Sequence, residues 1–467
     1  MSSPDTPDIP GDQPASRPIT PLLEPRDGVP PVLSSADQFA DAATRLAQGT
    51  GPVALDTERA SGYRYSQRAY LIQIRRTGSG SFLLDPIEHP EALQPVVEAL
   101  DGTEWILHAA DQDLPCLREL GFTTTELFDT ELAGRLLGLA KVNLAAMVEE
   151  FLGLGLQKGH GAADWSKRPL PPDWLNYAAL DVEVLIELRE AMAAALHEAG
   201  KRDWAREEFA YILRRAAPPA RTNRWRRTAN IHTIKTARGL AAVRELWLAR
   251  EEIAERRDVA PGRVLPDSAI ITAASAAPTT ADQLTRLPIF GGPRQRRQAG
   301  TWLSALLRAR DMPDAELPPR KTPTVGPPPI SRWEQRHPEA AARAARVRPL
   351  VKDIAEANTL PAENLLSPDL VRQVCWEGID GPITVEAVDA RLAAGDARNW
   401  QRVLTAGPIA AALSAAESES AAESVSAGES ADDTSAAEEP AAAGPGAVGP
   451  GGADTGNMQP DDNASNH

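Results

Sequence analysis

From Ser35 to about Ala210 the chain alternates short apolar runs of strand length with stretches of helical period, and acidic residues recur where those runs end. That alternation restricts the segment to a layered α/β domain, because the apolar face of a strand and the apolar stripe of a helix must bury each other. Val53-Ala-Leu-Asp-Thr-Glu58, Tyr70-Leu-Ile-Gln-Ile-Arg75 and Ser81-Phe-Leu-Leu-Asp85 read as successive strands, with Gly78-Ser-Gly80 turning between the last two. Glu91–Leu100 reads as a helix, Trp105-Ile-Leu-His108 as a strand, Asp111–Leu120 as a helix and Leu127-Phe-Asp129 as a short strand. Leu144–Leu152 and one helix over Asp173–Ala199 complete the pattern.

The acids carry the chemistry. Alternate side chains of a strand share a face, so Asp56 and Glu58 point the same way while Val53 and Leu55 take the other. Two hard oxygen ligands at one spot repel each other without a cation, and Mg²⁺ is suited to bind through a few carboxylates plus water and phosphate oxygens. Tyr177 and Asp181 lie four apart and share a helical face, with Leu180, Val184, Leu185 and Leu188 supplying its apolar side. His108 ends a strand and Asp113 follows near the start of a helix. Carboxylates in this order can converge on two divalent metals, with the tyrosine holding an attacking water, an arrangement that hydrolyses phosphodiesters. Taken singly, each piece has an ordinary reading: strand-end acids, a helix-start carboxylate on the dipole, a tyrosine with its ring in the core.

A chain of 467 residues is too long for one core. Its 41 prolines and scarce aromatics point to folded modules joined and flanked by flexible segments. Two distant cysteines, Cys116 and Cys375, and seven histidines exclude a Cys/His zinc site and fit a reducing compartment. Residues 1–32 read as disordered, without a basic start followed by an apolar run, and no apolar stretch reaches membrane-spanning length; a soluble, cytoplasmic protein is the expectation. The net charge is −16, but eleven acidic and no basic residues between Glu417 and Asp462 account for most of it.

The domain of residues 33–212 is followed by a basic linker, 213–229, in which Arg214, Arg215, Arg221, Arg224, Arg226 and Arg227 surround Trp225. Such a segment can meet phosphates and stack on a base, or be a solvated connector. An all-α module, 230–312, opens with a helix carrying Leu240, Val243, Leu246, Trp247, Ile253 and Ala254 and ending near Asp258. Shorter helices follow at Ser268–Ala274, Thr280–Leu287 and Pro293–Ala309. A Pro-rich linker, 313–338, leads to a second helical module, 339–414, and a disordered acidic tail, 415–467. Leu360-Pro-Ala-Glu-Asn-Leu-Leu366 aligns without gaps on Val259-Ala-Pro-Gly-Arg-Val-Leu265, each behind a similar helix, which reads as a repeat.

The ordered set Asp56-Thr-Glu58, His108-Ala-Ala-Asp-Gln-Asp113 and Tyr177-Ala-Ala-Leu-Asp181 resembles the three motifs of ribonuclease D, in the tyrosine-bearing subgroup of the DEDD 3′→5′ exonucleases. Tyr70-Leu-Ile-Gln73-Ile matches the strand after the first motif, and Asp164-Trp165-Ser-Lys-Arg168-Pro-Leu170 the segment ahead of the third. Arg244-Glu-Leu-Trp247, Arg250-Glu251 and Val264-Leu-Pro-Asp267 are similar to HRDC domains, helical nucleic-acid-binding units, and the second module is a fainter match. The resemblance implies a ribonuclease-H-like domain, a mixed sheet with flanking helices, followed by one or two HRDC-like domains. It implies that Asp56, Glu58 and Asp181 hold one Mg²⁺ or Mn²⁺ ion, with Asp56 bridging to a second and Asp113 serving that second ion. Tyr177 would orient the water, and nucleoside 5′-monophosphates would leave a free 3′ end of tRNA precursors or other structured RNA. Gln73, His108, Arg224, Trp225, Arg226 and Arg227 are the expected nucleic-acid contacts. Arg59 stands where such enzymes place an aromatic residue after the D-x-E pair, touching no metal ligand. The motifs leave open a DNA exonuclease on the same scaffold and a nucleic-acid-binding protein whose catalysis has lapsed. No G-x-x-x-x-G-K-[ST] loop is present, which excludes a helicase motor.

Overall fold

The computed structural model describes residues 18–156, 159–215, 222–321 and 326–432. Its strands are β1 (Thr20–Leu22), β2 (Val32–Leu33), β3 (Thr50–Arg59), β4 (Ala69–Thr77), β5 (Gly80–Leu84), β6 (Glu104–Leu107), β7 (Glu126–Asp129) and β8 (Leu154–Leu156). Six form a mixed sheet in the order β2-β5-β4-β3-β6-β7, and β1 pairs in parallel with β8. The antiparallel β3-β4-β5 meander turns at Gly78 and Gly80, both at positive φ, a conformation glycine adopts without strain. Residues 18–32, expected to be disordered, thus carry β1 and the start of β2; backbone pairing and an ion pair from Arg26 to Glu187 hold them despite the Pro-rich composition. Residues 1–17 lie outside the described ones.

Helices α1 (Ala36–Gln48), α2 (Gln94–Ala99), α3 (Leu114–Glu119), α4 (Thr130–Leu136), α5 (Leu144–Leu152), α6 (Pro172–Glu183), α7 (Leu185–Glu198) and α8 (Arg202–Arg214) flank the sheet. The helix expected over Asp173–Ala199 is two, meeting at Val184. Val182 and Leu185 pack with Ala54 and Ile106, whereas Val184 and Leu188 enter the main core. Glu183, the last residue of α6, is buried and pairs with Arg75 of β4 at 2.9 Å, fixing the end of α6 against the sheet.

The helical part opens with α9 (Ala237–Arg257), α10 (Pro261–Val264), α11 (Asp267–Ala276), α12 (Ala281–Thr285), α13 (Pro293–Arg297) and α14 (Ala299–Asp311), around a core of their own centred on Trp302 and Phe290. Trp225 is buried in that core, so the segment expected to be a basic linker begins the module. Beyond come α15 (Trp333–Arg336), α16 (Pro338–Ala357), α17 (Ala362–Leu365), α18 (Pro368–Glu377), α19 (Val385–Ala394) and α20 (Asn399–Asp432). Each of α16, α17 and α18 starts 101 residues after its counterpart in α9, α10 and α11, so the repeat seen in the heptad extends over three helices.

The two units differ in what they bury. The second shares one apolar core with the α/β domain, through Val347, Val351, Leu365, Leu392 and Ile409. Trp204 of α8 stacks on Trp400 at 4.8 Å, and Glu208 accepts from the indole of Trp400 and pairs with Arg398. The Pro-rich stretch before it is partly folded too: Trp333 is fully buried against Trp376 and donates to the Pro328 carbonyl. The chain from 415, expected to be disordered, continues as α20 to Asp432, an Ala/Glu/Ser stretch in which Gly428 is the poorest helix former; residues 433–467 lie outside the described ones. Among the described residues no helix is long and apolar enough to cross a membrane.

Lys201 ties the second unit to the sheet domain. Its buried ammonium donates to the carbonyls of Leu136, Asn358 and Thr359 at 2.7, 2.6 and 3.2 Å, and burial lowers its pKa. Lys201→Ala strands those carbonyls and should lower unfolding stability by roughly 2–4 kcal/mol. Urea unfolding followed by tryptophan fluorescence checks this; an unchanged midpoint would show that the apolar core alone joins the two.

Candidate active site

β3 runs through the middle of the sheet, and its last turn carries Asp56 and Glu58 on one face and Thr57 on the other. α6 crosses that face and adds Asp181. One carboxylate oxygen each of Asp56, Glu58 and Asp181 can be chosen so that all three lie within 4.8 Å of one another, a donor set that fits a hard divalent cation. Burial, first of all, and then the charges of Asp113, Asp181 and Glu58 hold the Asp56 carboxyl well above the usual carboxylate range. Glu58 is raised likewise, against the opposing charge of Arg59. Asp181 is pushed up to about 7, chiefly by burial, although it accepts a hydrogen bond from Tyr177.

Asp113 stands beside this triad rather than in it. It directly precedes α3 without capping it, is buried, and accepts from the Thr57 hydroxyl at 2.5 Å. Burial lifts its pKa to about 6 against the hydrogen bond from Thr57 and the charge of Arg59. Arg59, which touches no ligand atom, thus reaches Glu58 and Asp113 through its field, held by a 3.3 Å bond to Gln112. Tyr177 is raised above its ordinary value by burial and then by Asp181, Glu58 and Asp56.

Several residues besides the four acids and Tyr177 position the site. Asp129 accepts from the backbone N–H groups of Ala109, Ala110 and Leu132, holding Ala109 at φ +60° and setting the turn that delivers Asp113. Arg168 pairs bidentately with Asp85 and donates to the Tyr70 carbonyl, pinning the segment ahead of α6 to the sheet. His160 lies edge-on to Tyr177 at 6.0 Å, and a Cβ at Gly159 would come 1.8 Å from the Tyr177 ring. Only glycine lets that loop cover the tyrosine. Asp258, ending α9 in the left-handed conformation, accepts from the N–H groups of Tyr65 and Ser66 and from the Tyr70 hydroxyl. Burial would raise its pKa, but the bonds from Ser66 and Tyr70 hold it below the usual range. The loop that follows Glu58 and Arg59 is therefore fastened to the helical module.

The expected nucleic-acid contacts divide. Gln73 is opposite Asp56 on β4, so its side chain shares the carboxylate face of the sheet; it is fully buried, and neither of its amide atoms has a protein partner. Trp225 is 4 % exposed, its ring spent on the module core and on Arg226 stacked 4.4 Å away, so it is not a base-stacking platform. His108 is half-buried, bonded to Thr130, and lowered to about 4 by burial, hence neutral at physiological pH. Arg224 lies over Trp247 and 3.8 Å from Glu251, while Arg227 is exposed. Arg221 lies outside the described residues.

Residues 31–197 match the model of a 3′-5′ exonuclease domain, 239–306 that of the HRDC domain, and 326–413 that of a 3′ to 5′ exonuclease C-terminal domain. A ribonuclease D of Pseudomonas paraeruginosa is 30% identical over 324 residues, covering 68% of this chain and 81% of the relative. The chain belongs to the ribonuclease D family. A solved structure of a protein from Bifidobacterium adolescentis is 38% identical with a TM-score of 0.78, covering 85% of this chain and all of that one. Escherichia coli RNase D, described as an exoribonuclease involved in structured RNA processing, shares the fold at 23% identity and a TM-score of 0.57, over 80% of this chain and 98% of its own. The second helical unit, expected to be HRDC-like, thus matches a family model of another description while keeping the three-helix plan. Membership in the ribonuclease D family makes this chain a 3′–5′ exonuclease.

Folded-state pKa values of about 6 and 7 for Asp113 and Asp181 exceed the unfolded value near 4, so the folded state binds the extra protons. In EDTA, stability contributed by this site should fall as pH rises from about 4 to 7, by a few kcal/mol at most. Millimolar Mn²⁺ or Mg²⁺ at pH 8 should restore it. Comparing wild type with Asp181→Asn by thermal unfolding isolates the effect; identical pH profiles, with no shift on adding metal, would remove the carboxylate cluster as its source. Separately, Asp258→Ala should speed amide exchange at Tyr65 and Ser66 by at least the loss of one charge-assisted bond, roughly ten-fold. Unchanged exchange would mean the loop is held by its apolar contacts.

Proposed function

We propose that this chain trims structured RNA from a free 3′ end, one nucleotide at a time, using divalent cations held by Asp56, Glu58, Asp181 and Asp113. The observation that carries this is the convergence of the first three carboxylates within 4.8 Å, with the Tyr177 hydroxyl donating to Asp181. Three clustered acids with raised pKa values, Glu58 buried and Asp56 and Asp181 half-buried, are what a site built for positive charge looks like before that charge arrives. Bound there, the cations would lower the pKa of a water and neutralise charge on the departing 3′-oxygen. Tyr177, raised above an already high phenol value, keeps its proton at neutral pH and acts by orienting the water as a donor, not as the base. Asp113, which accepts from Thr57, would serve the second cation directly or through water. The products would be nucleoside 5′-monophosphates.

RNA is favoured over DNA because the 30% identical relative is a ribonuclease. Precursors of tRNA and other folded RNAs with single-stranded 3′ ends fit a nuclease domain followed by helical modules, and a cytoplasmic location fits such substrates. The HRDC module and its basic flank would hold the body of the RNA while the 3′ end is shortened. Mg²⁺ and Mn²⁺ both suit all-carboxylate ligation.

The test is 5′-labelled single-stranded RNA and the matching DNA incubated with Mg²⁺ or Mn²⁺. The RNA should shorten in a 3′ ladder that EDTA abolishes and that Asp56→Ala and Asp181→Ala reduce by at least about 1,000-fold, with RNA binding retained. Tyr177→Phe should slow kcat by about 10- to 100-fold at nearly unchanged metal affinity. A DNA ladder as fast as the RNA one would shift the substrate to DNA, and turnover surviving in Asp56→Ala would overturn the ligand assignment.

A further inference from the structure

The two segments that flank the HRDC module in sequence meet in space: the Arg226 guanidinium donates to the Pro319 carbonyl at 2.7 Å. Between them and the start of α9 lies a cavity of about 710 Å³ lined by Arg226, Ile231, His232, Ile234, Lys235, Leu240, Arg320 and Lys321. Its titratable lining is cationic throughout. Four permanent charges and one histidine face an apolar floor, and no carboxylate lines the wall.

This charge is uncompensated. Among the described residues none of Arg226, His232, Lys235, Arg320 and Lys321 makes an ion pair, although arginines elsewhere in the same module do, as Arg238 with Asp314, Arg250 with Asp267 and Arg308 with Glu245. Lys235 reaches only the carbonyl of His232, three residues back. Arg226 is held below its ordinary pKa by burial and then by the like charge of Arg244. Four cations gathered around one cavity with no acid in its lining mark a site for an anion. No exposed aromatic lines it, and Trp225 is turned into the core, so it can hold phosphate but cannot stack bases.

We infer that this pocket, built from the two segments bounding the HRDC module, binds backbone phosphates of the RNA body away from the scissile end. The inference rests on the reading of the chain as a nuclease of structured RNA, and makes these segments part of the RNA-binding surface instead of tethers. Contact is to phosphate alone, so it holds RNA without regard to sequence and acts on KM, leaving kcat to the carboxylate site.

The experiment uses the full chain and the variants Arg320→Glu/Lys321→Glu and Lys235→Glu, all at exposed positions. A hairpin RNA with a short single-stranded 3′ tail is compared with a five-nucleotide RNA of the tail's sequence. The charge reversals should raise KM for the hairpin roughly ten-fold, leave kcat and the short substrate unchanged, and reduce the log–log salt slope of hairpin binding by about 1–2. Lys235→Arg should keep wild-type KM. An unaltered hairpin KM and salt slope would overturn the proposal, as would an equal loss on both substrates. Competition by millimolar inorganic phosphate that removes the wild-type advantage would reassign the pocket to a small free anion. A chain ending at Asp432 that binds the hairpin more tightly, and no longer responds to the reversals, would assign the pocket to the chain's own acidic tail. Hairpin binding by fluorescence anisotropy in EDTA reads the pocket independently of hydrolysis, so an inactive nuclease and a pocket without RNA affinity give different results.

Discussion

Mutual repulsion among carboxylates is the constraint around which this molecule is arranged. Asp56, Glu58 and Asp181 come from two elements far apart in sequence, and nothing in their own chemistry keeps them together. The scaffold does so by overdetermining each position. β3 is locked between β4 and β6, and α6 is anchored at its end by the buried Glu183–Arg75 pair two residues beyond Asp181. Asp129 fixes the strained turn before Asp113 by three backbone hydrogen bonds. Each anchor is itself a buried acid held by backbone donors or by a cation, which fixes the elements that carry the cluster.

The same logic explains the two helical units. They share a three-helix plan at a constant offset, yet one has its own core and the other is continuous with the core of the α/β domain. A unit fused through Trp400, Lys201 and a shared apolar core cannot move without exposing that core. The HRDC module is joined instead by polar contacts around Asp258 and by Arg263, which donates to the Gly62 carbonyl and lies over the Tyr63 ring. Polar contacts of this kind hold an orientation at much lower energy than a shared core.

How much of this could be read beforehand follows from which signals are periodic. The meander β3-β4-β5 and the amphipathic helices announce themselves by alternation and by 3.6-residue spacing, and the triad with Tyr177 follows from them because face-sharing is a consequence of the same periods. Elements of two or three residues, such as β1, β2 and β8, have no period to detect; they exist because a neighbour offers unpaired backbone groups. Trp225 in a single 3₁₀ turn looks, among arginines, like an exposed aromatic, and only the tertiary fold shows its ring inside. The depth of Gln73 was not legible either, because a polar residue in a strand says nothing about how far its face is covered. Asp129 and Asp258 have the appearance of ordinary caps, and their importance lies in which backbone they hold.

Thr57 shows how local sequence and long-range geometry combine at the centre of the site. A residue between two same-facing carboxylates must point to the opposite side of the strand, where here it meets Asp113 and Cys116. A hydroxyl there gives the buried Asp113 a donor, and through the charge of Asp113, which acts on Asp56, Glu58 and Asp181, it bears on the triad as well. An apolar residue of the same shape would leave that carboxylate without its shortest hydrogen bond, raise its pKa further, and favour the protonated form that binds no cation. The threonine of the Asp-Thr-Glu strand therefore belongs to the electrostatics of the site as much as the two acids beside it.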